Sequence, residues 1–397
     1  MTGALAALYL IEFLIGYEAG SYQFALQRIG LEFSLDNEAM GVLVAVQFAA
    51  IMAAPLLFGR LADKRGKMPI LVIFCLVLVT GCLWIFFSQQ VILFCIGIFL
   101  VGMGYSICEA VGTAAMADID SKNAARHIHL SQAIYCIGAV ISPILSAWIC
   151  DRSNMGWRAL FGIIGILFVF AALFIVMSFR RLSLAVLSPT VSLPDGSSAE
   201  AGPSSPKAGG ALSVGVFAFL LFIYIGNENG IVFFADSFFT QDIQAGNLAA
   251  LSISVFWLAM IPSRILCAAF QRQAKHILLG SFLVGTPLLF GMGAVQNVPT
   301  GLAVSFLLGF VCAPIWPCAM TLGIQQYPNS SATVTSLLQV ACALGGILFP
   351  WIFGRLSDEA GRRAGYFFMG SLMAIAFAVY LLWILYRRWI DKKSGSR

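Results

Sequence analysis

The amino-acid sequence predicts an all-α membrane protein, with twelve transmembrane helices arranged as two pseudo-symmetric six-helix bundles. Three observations carry this. Of 397 residues, 60% are hydrophobic and only 10% charged, with a mean hydropathy of +0.91. That is too little charge to cover a soluble chain of this length. Twelve apolar stretches each reach the roughly 20 residues that a helix needs to cross a bilayer. Finally, polar residues inside these stretches recur at a nearly constant offset in the two halves of the chain.

Span one (4–27) begins almost at the first residue and shows neither a basic leader nor a cleavage site. It therefore reads as a retained helix, not a signal peptide, and it holds Glu12 and Glu18. Span two (38–59) ends in the basic loop "GRLADKRGK" (59–67). Spans three (68–88) and four (90–117) follow, the latter carrying Glu109. Span five (127–150) opens on His127 and His129 beside Arg126; histidines two apart point to different faces, which argues against a metal site. Span six (157–179) ends at Arg180 and Arg181. The segment "SPTVSLPDGSSAEAGPSSPKAGG" (188–210) is too polar to fold alone. It divides the chain into an N-terminal bundle (1–180), a cytoplasmic linker (181–210) and a C-terminal bundle (211–397). Span seven (211–235) carries Asn227, Glu228 and Asn229; span eight (246–270) carries Trp257 and, near its inner end, Arg264. Span nine (275–295), span ten (298–326) with Trp316, span eleven (331–354) with Gln339 and span twelve (364–386) complete the set.

An even number of spans puts both termini on one side. With the termini inside, sixteen lysines and arginines fall in cytoplasmic segments: Arg60, Lys64, Arg65, Lys67, Lys122, Arg126, Arg180, Arg181, Lys207, Arg272, Lys275 and five at the C-terminal end. Six, namely Arg28, Arg152, Arg158, Arg355, Arg362 and Arg363, fall on the other side. The positive-inside rule therefore predicts cytoplasmic termini. Short loops fit a bacterial inner membrane. No polybasic stretch interleaved with aromatics is present, which excludes a nucleic-acid binder. Ten cysteines (75, 82, 95, 108, 136, 150, 267, 312, 318 and 342) sit in or beside apolar runs without a CxxC pair. They read as small core residues, not disulfides or metal ligands.

The duplication is specific. Gly16, Glu18 and Gly20 map onto Gly226, Glu228 and Gly230 at an offset of 210, while Gln132, Gly138 and Pro143 map onto Gln339, Gly345 and Pro350 at 207. "FLVGMG" (99–104) maps onto "FLLGFV" (306–311), setting Glu109 opposite Trp316. Repeats of this kind place a binding site at their interface near the midplane.

"GRLADKRGK" resembles the loop signature of the major facilitator superfamily: a glycine, an aspartate four residues on, and a basic cluster. By that resemblance Gly59, Asp63, Arg65, Gly66 and Lys67 form a gating latch, with Asp63 facing the N-terminus of a helix such as span eleven, where the helix dipole favours a negative charge. The counterpart "PSRILCAAFQRQAK" after span eight keeps Arg264 and lacks the aspartate. Several spans resemble the fucose/glucose/galactose–proton symporter branch. These are "GMGYSICEAVGTA" (102–114), "LSQAIYCIGAVISP" (130–143), "YIGNENG" in span seven and "LSISVFWLAMIPSR" (251–264). Where that branch carries a proton-binding aspartate in span one, this sequence has Gln23. The resemblance implies a secondary active transporter that couples a neutral sugar, or a similar small polar solute, to protons by alternating access. It implies no cofactor and no enzymatic activity, and a monomer in the bilayer.

A carboxylate at membrane depth costs roughly 2.5–3.5 kcal/mol on insertion scales, so it faces a cavity or a partner. Glu18, Glu109 and Glu228 lie well inside their spans. Glu12, six residues before Glu18, points about 120° away from it on a helix. Resemblance makes Glu109 the proton carrier; Glu18 is open between a coupling role in the cavity and a helix–helix hydrogen bond. Glu228, Asn227, Asn229, Gln132, Gln339 and Gln23 are candidate ligands of sugar hydroxyls. Tyr22, Tyr135, Trp257 and Trp316 offer ring faces for a sugar, although packing alone also explains any one of them. The polar Asn227–Asn229 cluster also fits a point where span seven unwinds. The glycines of Gly16-x-x-x-Gly20 and Gly226-x-x-x-Gly230 are expected to bring helices close together.

No arginine or lysine is expected near the midplane, which favours a neutral or cationic solute over an anionic one. Ser142-Pro143-Ile144-Leu145-Ser146-Ala147 stands where antiporters of the superfamily carry Gly-Pro-x-x-Gly-Gly. A proton-driven exporter of drugs or metabolites is thereby the second reading, and a non-transporting receptor the third.

Overall fold

The computed structural model describes residues 2–120, 124–186, 210–326 and 331–394. The first half contains α1 (Thr2–Phe33), α2 (Asn37–Arg65), α3 (Lys67–Phe87), α4 (Val91–Ile119), α5 (Ala124–Arg152) and α6 (Arg158–Val186). The second contains α7 (Gly210–Ser237), α8 (Leu251–Ala269), α9 (Ala274–Ala294), α10 (Val298–Cys312), α11 (Ile315–Ile324), α12 (Ser331–Ala360) and α13 (Arg362–Ser394). Helices α10 and α11 together make one span, so the described residues form twelve membrane-length spans. Residues 181–186, assigned to the linker, continue α6; 187–209 lie outside the described residues.

The break in span ten has a chemical cause. Pro314 has no N–H to donate to the carbonyl of Phe310, one turn earlier. That carbonyl instead accepts from Ser263 Oγ of α8 at 2.6 Å, so the broken ladder is repaired by a neighbouring helix. Span seven, in contrast, does not unwind. Helix α7 runs unbroken through Asn227-Glu228-Asn229, because Asn229 Nδ2 donates back to the Ile225 carbonyl at 2.8 Å and Asn227 finds partners on α13. The polar side chains are satisfied without opening the backbone.

In lipid, helices associate through close packing of small residues. Helix α1 meets α5 backbone to backbone: Gly16 lies against the Tyr135 carbonyl, Gly20 against Ser142 Oγ and the Ala139 carbonyl, and Gly138 against the Phe13 carbonyl. In the second half Gly345 of α12 repeats this against the Phe222 carbonyl of α7. Gly226 and Gly230, however, seat the side chains of Phe349 and Met369. One glycine spacing thus admits a helix backbone in the first bundle, and a ring and a thioether in the second.

The bundles meet chiefly along two helix pairs, α2 with α12 and α5 with α8, and α1 also touches α7 and α8. At the end far from the chain termini the join is polar. Asp36 caps α2 by accepting from the Ala39 amide at 2.8 Å. The free amides of Asn37 and Glu38 donate to Asp358 of α12 at 3.1 and 2.7 Å. Trp351 Nε1 donates to Glu38 Oε1 at 2.9 Å, and Arg28 pairs with the buried Asp236 at 2.9 Å. Arg362 bonds Gln241 at 2.6 Å, Asn37 at 3.2 Å and Asp242 at 3.3 Å.

At the terminus-bearing end, Gly66 at φ +90° makes the tight turn between α2 and α3, as its place in the loop signature requires. Lys67 pairs with Asp118 near the C-terminus of α4, and Arg65 is exposed. The placement of the Asp63 carboxylate, and of Gly59 against its neighbours, lies outside the described residues.

Candidate functional site

A cavity of about 480 Å³ lies between the bundles, lined by α1, α2, α4, α5, α7, α8, α11 and α12. Its lining runs from Gln23 and Phe233 down to Leu56 of α2 and Thr335 of α12, toward the terminus-bearing end. All three glutamates singled out in the sequence, Glu18, Glu109 and Glu228, are on its wall. Gln23, Gln132, Tyr135, Asn229, Trp257, Trp316 and Gln339 join them, so ten of the twelve candidate cavity residues converge on one space.

These groups are tied together across helices. Gln47 Nε2 of α2 donates to Glu18 Oε1 at 3.1 Å, so Glu18 both lines the cavity and bridges two helices. Tyr224 donates its hydroxyl to Glu228 Oε1 at 2.7 Å. Trp257 Nε1 of α8 donates to Gln23 Oε1 of α1 at 2.9 Å, across the two bundles. The Tyr135 ring meets the Trp257 ring edge to face, with centroids 5.6 Å apart, and Tyr105 donates to the Tyr135 hydroxyl at 3.1 Å. The result is an aromatic floor with amide and carboxyl groups around it, suited to a small solute bearing hydroxyls.

Two candidates face elsewhere. Asn227 Nδ2 donates to the Met369 carbonyl at 3.3 Å and to Met373 Sδ at 3.7 Å, because its position on α7 turns it onto α13. Tyr22 is fully buried among Phe94, Phe161 and Phe233, with the last ring 5.2 Å away. It packs against α4 and α6 of the first bundle and α7 of the second, and does not line the cavity.

One residue overturns an expectation. Arg264 is on the cavity wall, where its Nη1 donates to Cys136 Sγ at 3.1 Å and to Gln132 Oε1 at 3.4 Å. The sequence leaves it near the inner end of span eight and leaves the cavity without a basic group. Folding turns its long side chain across to α5, within electrostatic range of Glu109 and Glu228. Gln47, Tyr105 and Tyr224 were likewise not singled out. Among them Tyr105 and Tyr224 had a sequence signal, each four residues before a glutamate, Glu109 and Glu228, and thus on the same helix face; Gln47 had none. Among the described residues no group of histidines, cysteines and carboxylates has metal-binding geometry.

Twelve membrane-length helices in two bundles around a cavity of mixed polar and apolar lining define a membrane transporter. The model of the Major Facilitator Superfamily matches residues 8–350, and the chain belongs to that family. Among curated relatives, the glucose/mannose transporter GlcP of Bacillus subtilis (strain 168) is 26% identical over 333 residues, covering 81% of this chain and 80% of that protein. The multidrug resistance protein MdtL of Salmonella typhi is 27% identical over 335 residues, covering 79% and 83%. Among solved structures, a bacterial homologue of the human lysosomal transporter Spinster, inward-facing and unoccupied, superposes with a TM-score of 0.78 at 16% identity, covering 96% of each chain. A D-xylose–proton symporter superposes with a TM-score of 0.75 at 14% identity, covering 96% and 97%. At such identities the structural likeness speaks for the fold alone.

Proposed function

We propose that the protein is a proton-coupled symporter of a neutral sugar or a similar small polar solute. It acts as a monomer with both termini in the cytoplasm of a bacterial inner membrane. The halves 1–180 and 211–397 rock about the cavity to alternate access. Glu109 carries the proton, with Glu18 in reserve on the same wall. Glu228, Asn229, Gln132, Gln339 and Gln23 contact solute hydroxyls, and Tyr135, Trp257 and Trp316 give ring faces.

The observation that carries this reading is the cavity's composition: amides, carboxyls and aromatic rings alternate around about 480 Å³, a volume in the usual range for small-molecule sites. Arg264 does not make the solute an anion. One guanidinium in range of two carboxyl groups, Glu109 and Glu228, leaves no surplus positive charge for a ligand. The likeness to a glucose/mannose transporter supports the same solute class.

The test is electrical. Proteoliposomes holding wild type or Glu109→Gln are challenged with a panel of neutral hexoses. A sugar-specific inward proton current in wild type, absent from the variant while sugar exchange persists, is the expected result. Silence toward every sugar, with proton movement on addition of hydrophobic cations, overturns it in favour of a proton-driven exporter. That second reading has its own support in the likeness to MdtL and in the apolar stretch of the lining at Phe48, Ile51, Met52 and Leu56.

A further inference from the structure

We infer that Glu12 is a second proton station, receiving the proton from Glu109 and passing it toward the terminus-bearing end through Tyr9 and His127. This rests on Glu109 being the proton carrier. Glu12 is completely buried in α1 and lies outside the cavity lining, so solute binding does not account for it. One carboxyl oxygen accepts from Thr113 Oγ1 of α4 at 3.3 Å; the other is buried with no hydrogen-bond partner. A carboxyl kept only to tie two helices together would be expected to satisfy both oxygens, since an unsatisfied buried acceptor costs about 1–3 kcal/mol.

Its neighbours form a file. Thr113 is one turn beyond Glu109 on α4, so the group that Glu12 bonds lies on the same helix face as Glu109. Tyr9 is one turn before Glu12 on α1, on the same face. The Tyr9 hydroxyl bonds His127 Nδ1 of α5, and His127 Nε2 lies 3.2 Å from Asp120 Oδ2 at the end of α4. His127 and Asp120 retain 14% and 19% side-chain exposure, so the file reaches solvent. Glu109 and Thr113 on α4, like Tyr9 and Glu12 on α1, are about one helical turn apart, roughly 4.5–6 Å of rise. A rotamer change or one bridging water spans such a step, and the Thr113–Glu12 hydrogen bond joins the two helices.

The fold does not require these groups. At the offsets of the internal repeat, the second bundle has Phe222 for Glu12, Phe219 for Tyr9, Trp316 for Glu109 and Met320 for Thr113. These four positions are polar in the first bundle and aromatic or apolar in the second.

The transfer balances as a proton relay. The O–H bond of a protonated Glu109 breaks and one forms on the Glu12 carboxylate. The Tyr9 hydroxyl then takes that proton as it gives its own to His127 Nδ1, while the proton on Nε2 leaves toward Asp120.

Glu12→Gln and Glu109→Gln are compared with wild type in proteoliposomes by sugar-driven proton current and by sugar exchange at equal concentrations. Expected for Glu12→Gln is exchange at the wild-type rate with a current reduced by roughly tenfold or more, partly restored in Glu12→Asp. A wild-type current in Glu12→Gln, with none in Glu109→Gln, overturns the inference and leaves the Glu109 assignment standing. A wild-type current in Glu109→Gln overturns that assignment, and the relay with it. Loss of exchange together with current in a stable Glu12→Gln overturns the inference in favour of a structural role. Should Glu12→Gln fail to fold, Thr113→Val and His127→Gln serve instead: reduced current with intact exchange supports the file, and unchanged currents overturn it.

Discussion

Tyr224 and Asn227 lie three residues apart on α7 and act in different places. Tyr224 donates its hydroxyl to Glu228 on the cavity wall, whereas Asn227 ties α7 to α13. Tyr224→Phe should raise the half-saturating sugar concentration about fivefold, the equivalent of one lost hydrogen bond of about 1 kcal/mol, without lowering the melting temperature. Asn227→Ala should do the reverse, leaving half-saturation unchanged and lowering stability by about 0.6 kcal/mol, the typical worth of an interhelical hydrogen bond in a membrane protein. Transport titrations and thermal unfolding of the same preparations check both. At this scale the sequence is half legible. Polar residues in an apolar run announce themselves, as Glu18, Glu109 and Glu228 do, yet the run does not say which face each one takes. Arg264 shows the limit most sharply. Its distance from the helix end assigns it to the interface, and the flexibility of a long side chain carries its guanidinium into the cavity.

At the scale of the helix, small residues decide how near two backbones come. Gly138 of α5 abuts the Phe13 carbonyl of α1, whereas Gly215 of α7 has open space around it. Gly138→Ala should therefore destabilise by about 1–3 kcal/mol through overpacking. Gly215→Ala should be neutral or slightly stabilising, because alanine is the better helix former by about 1 kcal/mol. Thermal unfolding in one detergent separates them. The glycine spacing was readable beforehand because a transmembrane run offers few other reasons for it. The break in span ten was not foreseen although Pro314 was in view. Proline removes one donor, but whether the helix parts there depends on who takes the freed carbonyl, and Ser263 belongs to another helix. Span seven is the opposite case: its amides suggested an unwound segment and were satisfied in place.

For the whole molecule, the twelve spans and their pseudo-twofold order follow from hydropathy and from the repeat offsets, since lipid admits only helices and closed barrels and continuous apolar runs of about 20 residues fit helices. The closed end was harder to foresee, because its contacts between the bundles join residues from about 200 to more than 300 positions apart. The loop signature led to the expectation of a carboxylate from the α2–α3 loop at a helix N-terminus. Here Asp358 of α12 accepts from the N-terminus of α2, at the opposite end of the molecule. Asp358→Asn should raise the population parted at that end by roughly two- to fivefold, for a helix-terminus charge worth about 0.3–1 kcal/mol. Distances between spin labels at the far ends of α2 and α12 measure it directly. Apolar clasps hold by excluding water, and the fluid outside hardly alters them. Part of this one is built from groups that water and ions can replace, with the exposed Asp358 in the principal part. Its strength is therefore partly a property of the medium it faces, weakening as ionic strength rises over the range where exposed charges are screened. That end should be held together more firmly in dilute surroundings than in salty ones, so the fluid on that side of the membrane is one of the partners in the closure.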